Sequence, residues 1–221
     1  MHSATTLLKP ALYRSVLFSE PGTVSVAPST AAPTRPVARL HAHFLFNALH
    51  AVGTLVRLQR NDEAARAIFH LAELERHLVE KDDRTFVPLS EELDLIQLYL
   101  GFERIRFGDS LRVVVECDPE VRDLPVPNLI LLPLVENAVK HGIARRAGQG
   151  RIEVFAGRRD GALCLEVRND PPLRDKPVPA GLGYGQRATR ERLAALYGGR
   201  ATFTFAAQPP HGLAATLQLP A

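Results

Sequence analysis

The chain has 221 residues, a net charge of +3 and 46% apolar residues. That length holds one large or two small domains with real cores. The charge is mild, the arginines are scattered and few aromatic residues could stack on bases, so nothing favours direct nucleic-acid binding.

Residues 1–37 are rich in Ser, Thr, Ala and Pro, with Pro10, Pro21, Pro28, Pro33 and Pro36 breaking any pattern. Such a segment buries too little to offset its ordering entropy, and it is expected to be a disordered arm. Its apolar patches are interrupted by Lys9, Pro10 and Arg14, which removes the core of a secretory signal. No run anywhere approaches the ~18 apolar residues that cross a bilayer. The expectation is a soluble, cytoplasmic chain with no membrane span. Cys117 and Cys164 lie in alternating apolar stretches without metal-ligand or CxxC spacing, and both read as small buried hydrophobes.

Residues 38–84 turn helical. Leu45, Leu49, Val52 and Val56 make one apolar stripe, Asn61-Asp62 interrupts it, and Ala64, Ile68, Leu71, Leu74 and Leu78 make a second. Two such helices form an antiparallel hairpin with too little partner surface to stand alone. Pairing with a second copy into a dimeric four-helix bundle supplies it. Near the start of the first helix, His43 and Asn47 are one turn apart, beside the stripe. An Asn amide there could hold one imidazole nitrogen and leave the other exposed as a nucleophile. His50 and His77 each follow another histidine by seven residues, too far for ordinary metal ligation.

Residues 85–221 read as a second domain. Pro88 and Ser90 announce a helix with Glu91 and Glu92 in its first turn, where the helix dipole favours them, and Gly108 stops it. Leu111–Cys117 alternates as a strand. Pro127 is expected to open a helix that ends near Gly142. Arg151–Ala156 and Ala162–Arg168 form a hairpin about Asp160-Gly161, and Ala201–Ala206 and Leu213–Leu219 close the chain. The order αβαββαββ predicts an α+β fold with a two-layer α/β sandwich.

The helix Leu132–Ile143, LPLVENAVKHGI, carries the chemistry. Glu136 and Lys140 are four apart, as are Asn137 and His141, so a polar cluster is set into an apolar helix. Such a cluster is either paired within itself or faces a ligand. An amide oxygen, a carboxylate and nitrogen donors suit a magnesium-bound polyphosphate. Further on, Gly181, Gly183 and Gly185 precede a helix, an arrangement that brings backbone N–H groups close to an anion.

Four strings together, HFLFNALHAV, LSEELDLIQLYLGFERIRFGDSL, LPLVENAVKHGI and GLGYGQRATRERLAALYG, resemble LytS/YehU-type sensor histidine kinases over residues 38–220. The resemblance implies a dimerisation and phosphoacceptor hairpin followed by an ATP-binding domain of the GHKL (Bergerat) type. It makes His43 the phosphoacceptor, Asn137 the magnesium ligand and Glu136 the carboxylate that assists transfer. Lys140 and His141 would lie near the phosphates, Asn169 and Asp170 at the adenine, and Gly181, Gly183 and Gly185 in the glycine box. ATP and Mg2+ follow as cofactors. The implied partners are a second copy of the chain and a response-regulator receiver domain, of the LytTR kind.

The sequence departs from that pattern at four places: Ala42 replaces Pro, Leu132 replaces Gln, Asn169-Asp170-Pro171 replaces Asp-Asn-Gly, and Gln186-Arg187-Ala188 replaces Leu-x-Asn. An Asn carbonyl still accepts from the adenine amine but lacks the charge. A degenerate, non-catalytic ATP-binding scaffold and a directly hydrolysing GHKL ATPase therefore stand as alternatives.

Overall fold

Alternation of apolar and polar residues builds one five-stranded sheet, and three helices with apolar stripes cover one of its faces. The structure, a computed structural model, describes residues 36–80, 84–144, 148–170, 184–207 and 212–220, with the side chains of 36–43, 184 and 185 outside the described set. The arm expected over residues 1–37 lies outside it up to Arg35.

The hairpin forms from α1 (Pro36–Arg57) and α2 (Asn61–Glu80). Between them Gln59 takes a left-handed conformation, φ 57°. The Arg60 guanidinium then forks onto Glu63 in the first turn of α2, with both contacts at 2.6 Å. The buried face of α1 is Phe44, Ala48 and Leu55, and that of α2 is Ala64, Ala67, Leu71, Leu74 and Leu78.

This corrects the expected stripe. Leu49 is 54% exposed, Val56 53% and Ile68 53%, and Phe46 and Phe69 also stand out from the surface. Helix α1 carries two adjoining apolar stripes, and periodicity alone does not say which faces inward. The choice falls to α3 (Leu89–Phe107), against which α2 packs and whose Tyr99 and Phe102 take the Phe44 ring at centroid distances of 5.2 and 5.4 Å. Removing that ring leaves a cavity, so Phe44→Ala is expected to lower stability by about 3 kcal/mol in urea unfolding. A loss under about 1 kcal/mol would show that α1 does not pack on α3 in solution.

Helix α3 buries Leu93, Leu95, Ile96, Tyr99, Leu100 and Phe102 over most of its circumference and leaves Asp94, Gln97 and Arg104 as one exposed stripe, because it is packed between other elements. It ends at Gly108 as expected. Its first N–H groups are satisfied by main chain instead of by a side-chain cap: Leu89 donates to the Leu124 carbonyl at 2.9 Å and Ser90 to that of Arg122 at 2.8 Å. Glu92 does not sit at a solvated helix end. It is 1% exposed.

The sheet is ordered β2-β4-β5-β7-β6, from β2 (Leu111–Cys117), β4 (Gly150–Arg159), β5 (Ala162–Asn169), β6 (Thr202–Ala207) and β7 (Leu213–Pro220). The β2–β4 pair is parallel and the others are antiparallel. Asp160 and Gly161, φ 52° and 79°, form the primed turn that suits the twist of a two-residue hairpin. Ile152, Val154, Leu163, Leu165, Val167 and Leu217 face the helices, while Arg151, Glu153 and Arg168 face water. Cys117 and Cys164 are free thiols.

Helix α4 opens at Leu132 (Leu132–Ala138), not at Pro127. Pro127 belongs to β3 (Pro125–Pro127), a short strand antiparallel to β1 (Phe86–Pro88). Prolines at 125 and 127 bias the residues before them to extended backbone, and a two-stranded ribbon tolerates their missing donors. The proline at the helix start is Pro133. Helix α5 (Tyr184–Tyr197) completes the helical layer.

Candidate functional site

Helix α4 does not end as an ordinary helix. Across Val139–Ile143 it widens into a π-turn, closed by the Ala144 N–H on the Val139 carbonyl at 2.9 Å. Such widenings recur at functional sites because they re-aim the side chains they carry. Here the two turns hold Glu136 and Asn137, both half-buried, then Lys140, exposed, and His141, half-buried.

The π-turn also meets the end of β5. A Cβ added to Gly142 would lie 2.5 Å from Asn169 Nδ2, so only glycine lets the Asn169 side chain settle there. Asn169 is buried on the helix-facing side of the sheet, opposite Ile152 and Leu213. Its amide N–H2 donates to the Asp170 carbonyl at 2.8 Å, which orients the amide. Asp170 is engaged elsewhere: it exchanges bonds with Arg151, accepting the Arg151 N–H at 3.0 Å and donating its own N–H to the Arg151 carbonyl at 3.1 Å. Asn169 therefore joins the α4 cluster, and Asp170 closes the β4–β5 ladder.

Burial pushes the Glu136 carboxyl up to about 8, and the neighbouring charge of Glu103 adds to that, while Lys140 opposes it. Glu103, on α3, is itself raised by burial and held back by Arg106, whose guanidinium is 3.2 Å away. The Tyr99 hydroxyl bonds to Glu103, and burial raises it well above the ordinary phenol range. One chain of neighbours thus runs from the Phe44 ring to Tyr99, to Glu103, to Glu136. A buried carboxyl beside a like charge is a place where a divalent cation restores ionisation. The half-exposed Asn137 amide is a hard oxygen donor one residue away, so the donor set fits magnesium.

His43 lies on the α1 backbone, one residue before the Phe44 anchor; its side chain is outside the described residues. Asn47, half-buried, lies one turn further on. Gly181 and Gly183 are outside the described residues, and Gly185 is in the first turn of α5. Tyr99 and Glu103 escaped the sequence reading, although, four apart on one helix, they carried the same signal that marked α4, and Glu92 was read only as a first-turn acid. No described residues form a group of metal-binding His, Cys, Asp or Glu, and no described helix is long and apolar enough to cross a membrane.

A polar, π-widened helix laid on a mixed five-stranded sheet, with an amide at the end of β5 beside it, is the α+β sandwich that the sequence predicts. The family model described as histidine kinase matches residues 37–111. The sensor histidine kinase BtsS of Escherichia coli is 30% identical over 183 residues, covering 83% of this chain and 32% of that protein. The sensor protein LytS of Bacillus subtilis is 25% identical over 194 residues, 83% of this chain and 32% of that one. A bacterial phosphotransferase of known structure superposes with a TM-score of 0.53 at 13% identity, over 86% of this chain and 98% of that one, a likeness of fold. Residues 37–111 carry the histidine kinase family match, the chain is similar to LytS-like sensor proteins over most of its length, and it spans about a third of the length of the curated relatives it matches.

Proposed function

We propose that this chain is the kinase core of a two-component system. It binds Mg-ATP over α4, the π-turn and the end of β5, phosphorylates His43, and passes the phosphoryl group to an aspartate of a response-regulator receiver domain, of the LytTR kind. The observation that carries this reading is the half-buried Glu136 carboxyl, raised beside Glu103 and next to Asn137, on a helix whose widened end meets Asn169.

In this reading a ring nitrogen of His43 forms the N–P bond as the bond to the ADP oxygen breaks, and the ionised Glu136 takes up the proton of the other ring nitrogen, which Asn47 holds in the resting state. Bound magnesium supplies neutralisation of phosphate charge, and Asn137 would hold it. Lys140 and His141 stand near the phosphates. With its amide nitrogen bonded to the Asp170 carbonyl, Asn169 has its carbonyl oxygen to offer the adenine amine in this reading. The exposed stripe of Leu45, Leu49, Val56 and Ile68 pairs with a second copy in a four-helix bundle.

The test is incubation with γ-labelled ATP and magnesium. Acid-labile, base-stable label on the wild type, absent from His43→Gln, is expected; label that persists in the variant overturns the assignment. Asp170 exchanges bonds with Arg151, and the neutral Asn169 amide stands where the resembling family has a charged acceptor, which favours a second reading as a nucleotide-binding scaffold. Nucleotide binding with no label in the wild type is its signature.

A further inference from the structure

Glu92 lies on α3, away from the cluster just described, and the proposed mechanism does not use it. It is 1% exposed, yet its carboxylate is aimed at main chain that lies 37 to 39 residues away in sequence. Oε1 accepts the Leu129 N–H at 2.5 Å and Oε2 the Leu131 N–H at 3.2 Å, and the Ile130 N–H is a third donor to the same group. Three successive N–H groups converging on one carboxylate form a nest.

The backbone there is held in an unfavourable shape. Leu129 sits at φ 58°, a left-handed conformation that is unfavourable for a branched L-residue. Nor does α4 have a side-chain cap at Leu131, the position before its first residue. A strained conformation persists only where its surroundings over-determine it. Here Glu92 holds it from one side and the Asn128 N–H on the Thr85 carbonyl, at 3.0 Å, from the other. Arg192 of α5 faces the same carboxylate, and burial lowers its guanidinium from the ordinary arginine range. One side chain thus joins α3, the entry to α4 and the helix that follows the glycine box.

We propose that Glu92 is a positioning residue for phosphoryl transfer: it fixes the entry to α4 and so sets where Glu136 and Asn137 stand. Helix α4 is only seven residues long, so a shift at Leu131 is carried to Glu136 and Asn137 within about two turns. The inference rests on the kinase reading and adds a residue to it.

The test compares wild type, Glu92→Gln and Glu92→Asp in the full chain. Glutamine keeps the shape but turns an N–H2 donor toward a backbone donor; aspartate keeps two acceptor oxygens on a shorter arm. In Glu92→Gln, amide exchange over 129–138 is expected to rise about tenfold while α2 and β5 stay protected. Labelling turnover is expected to fall about 10- to 100-fold, magnesium-dependent ADP affinity to weaken with it, and Glu92→Asp to recover part of both. Unchanged exchange over 129–138, or exchange that rises uniformly through the protein, overturns the proposal. Should the wild type itself take no label, the kinase reading fails, and the exchange pattern together with magnesium-dependent ADP affinity in Glu92→Gln still decides the positioning role.

Discussion

Asn137→Ala is expected to abolish magnesium-dependent nucleotide binding and His43 labelling together, each by about 100-fold or more. Magnesium keeps several waters and takes few protein ligands, so a site built on it has little redundancy. Even groups that only support a metal ligand cost about 10- to 100-fold when removed, and Asn137 offers the one hard amide oxygen on this face of α4. The fold has little stake in the side chain. It is half-buried near the end of a short helix, and alanine is the better helix former, so stability should move by less than about 1 kcal/mol. Calorimetric titration with ADP, with and without magnesium, separates the two effects. An unchanged magnesium dependence would remove Asn137 as the ligand.

How far the sequence reveals this arrangement depends on how local each cause is. Strand β2 is read to the residue because its alternation is complete within Leu111–Cys117, and the turn at Asp160-Gly161 because only those two residues set it. The polar cluster at Glu136–His141 is visible for the same reason. What escapes depends on partners distant in sequence. Whether Phe44 or Leu45 faces inward is decided by Tyr99 and Phe102, more than fifty residues on. Glu92 looks like a dipole-stabilised first-turn acid, and only the Leu129–Leu131 nest, far along the chain, shows why it is buried. The π-turn at Val139–Ile143 has no period of its own; the packing of Gly142 on Asn169 accompanies it. Pro127 misleads because a proline that opens a helix and one that ends an extended ribbon look alike until the pairing of β1 with β3 is known.

Glu136→Gln should raise stability and remove activity in the same protein. The folded-state carboxyl titrates at about 8, against 4.5 for the unperturbed group, with burial the largest cause and the Glu103 charge next. Between those values the folded protein holds a proton that the unfolded chain has released. Stability is therefore greatest at or below about pH 4.5 and declines as pH rises toward 8. Each pH step of one across that interval costs at most about 1.4 kcal/mol. Water reaching the open side of the group lessens the cost, so the penalty at pH 8 is on the order of 3 kcal/mol. Glutamine resembles the protonated acid and escapes it, so the variant should match wild type at pH 5 and exceed it at pH 8 in urea unfolding without nucleotide. Any decline that remains in the variant belongs to Glu92, whose carboxyl burial lifts to about 7 against the pull of its backbone donors, and to Glu103, which burial also raises. Loss of the proton acceptor should meanwhile cut His43 labelling about 100-fold or more. A variant less stable than wild type at pH 8 would mean that Lys140 already compensates the charge. In that case Glu136 would be a structural ion-pair partner and not a carboxylate held at a cost in stability for phosphoryl transfer.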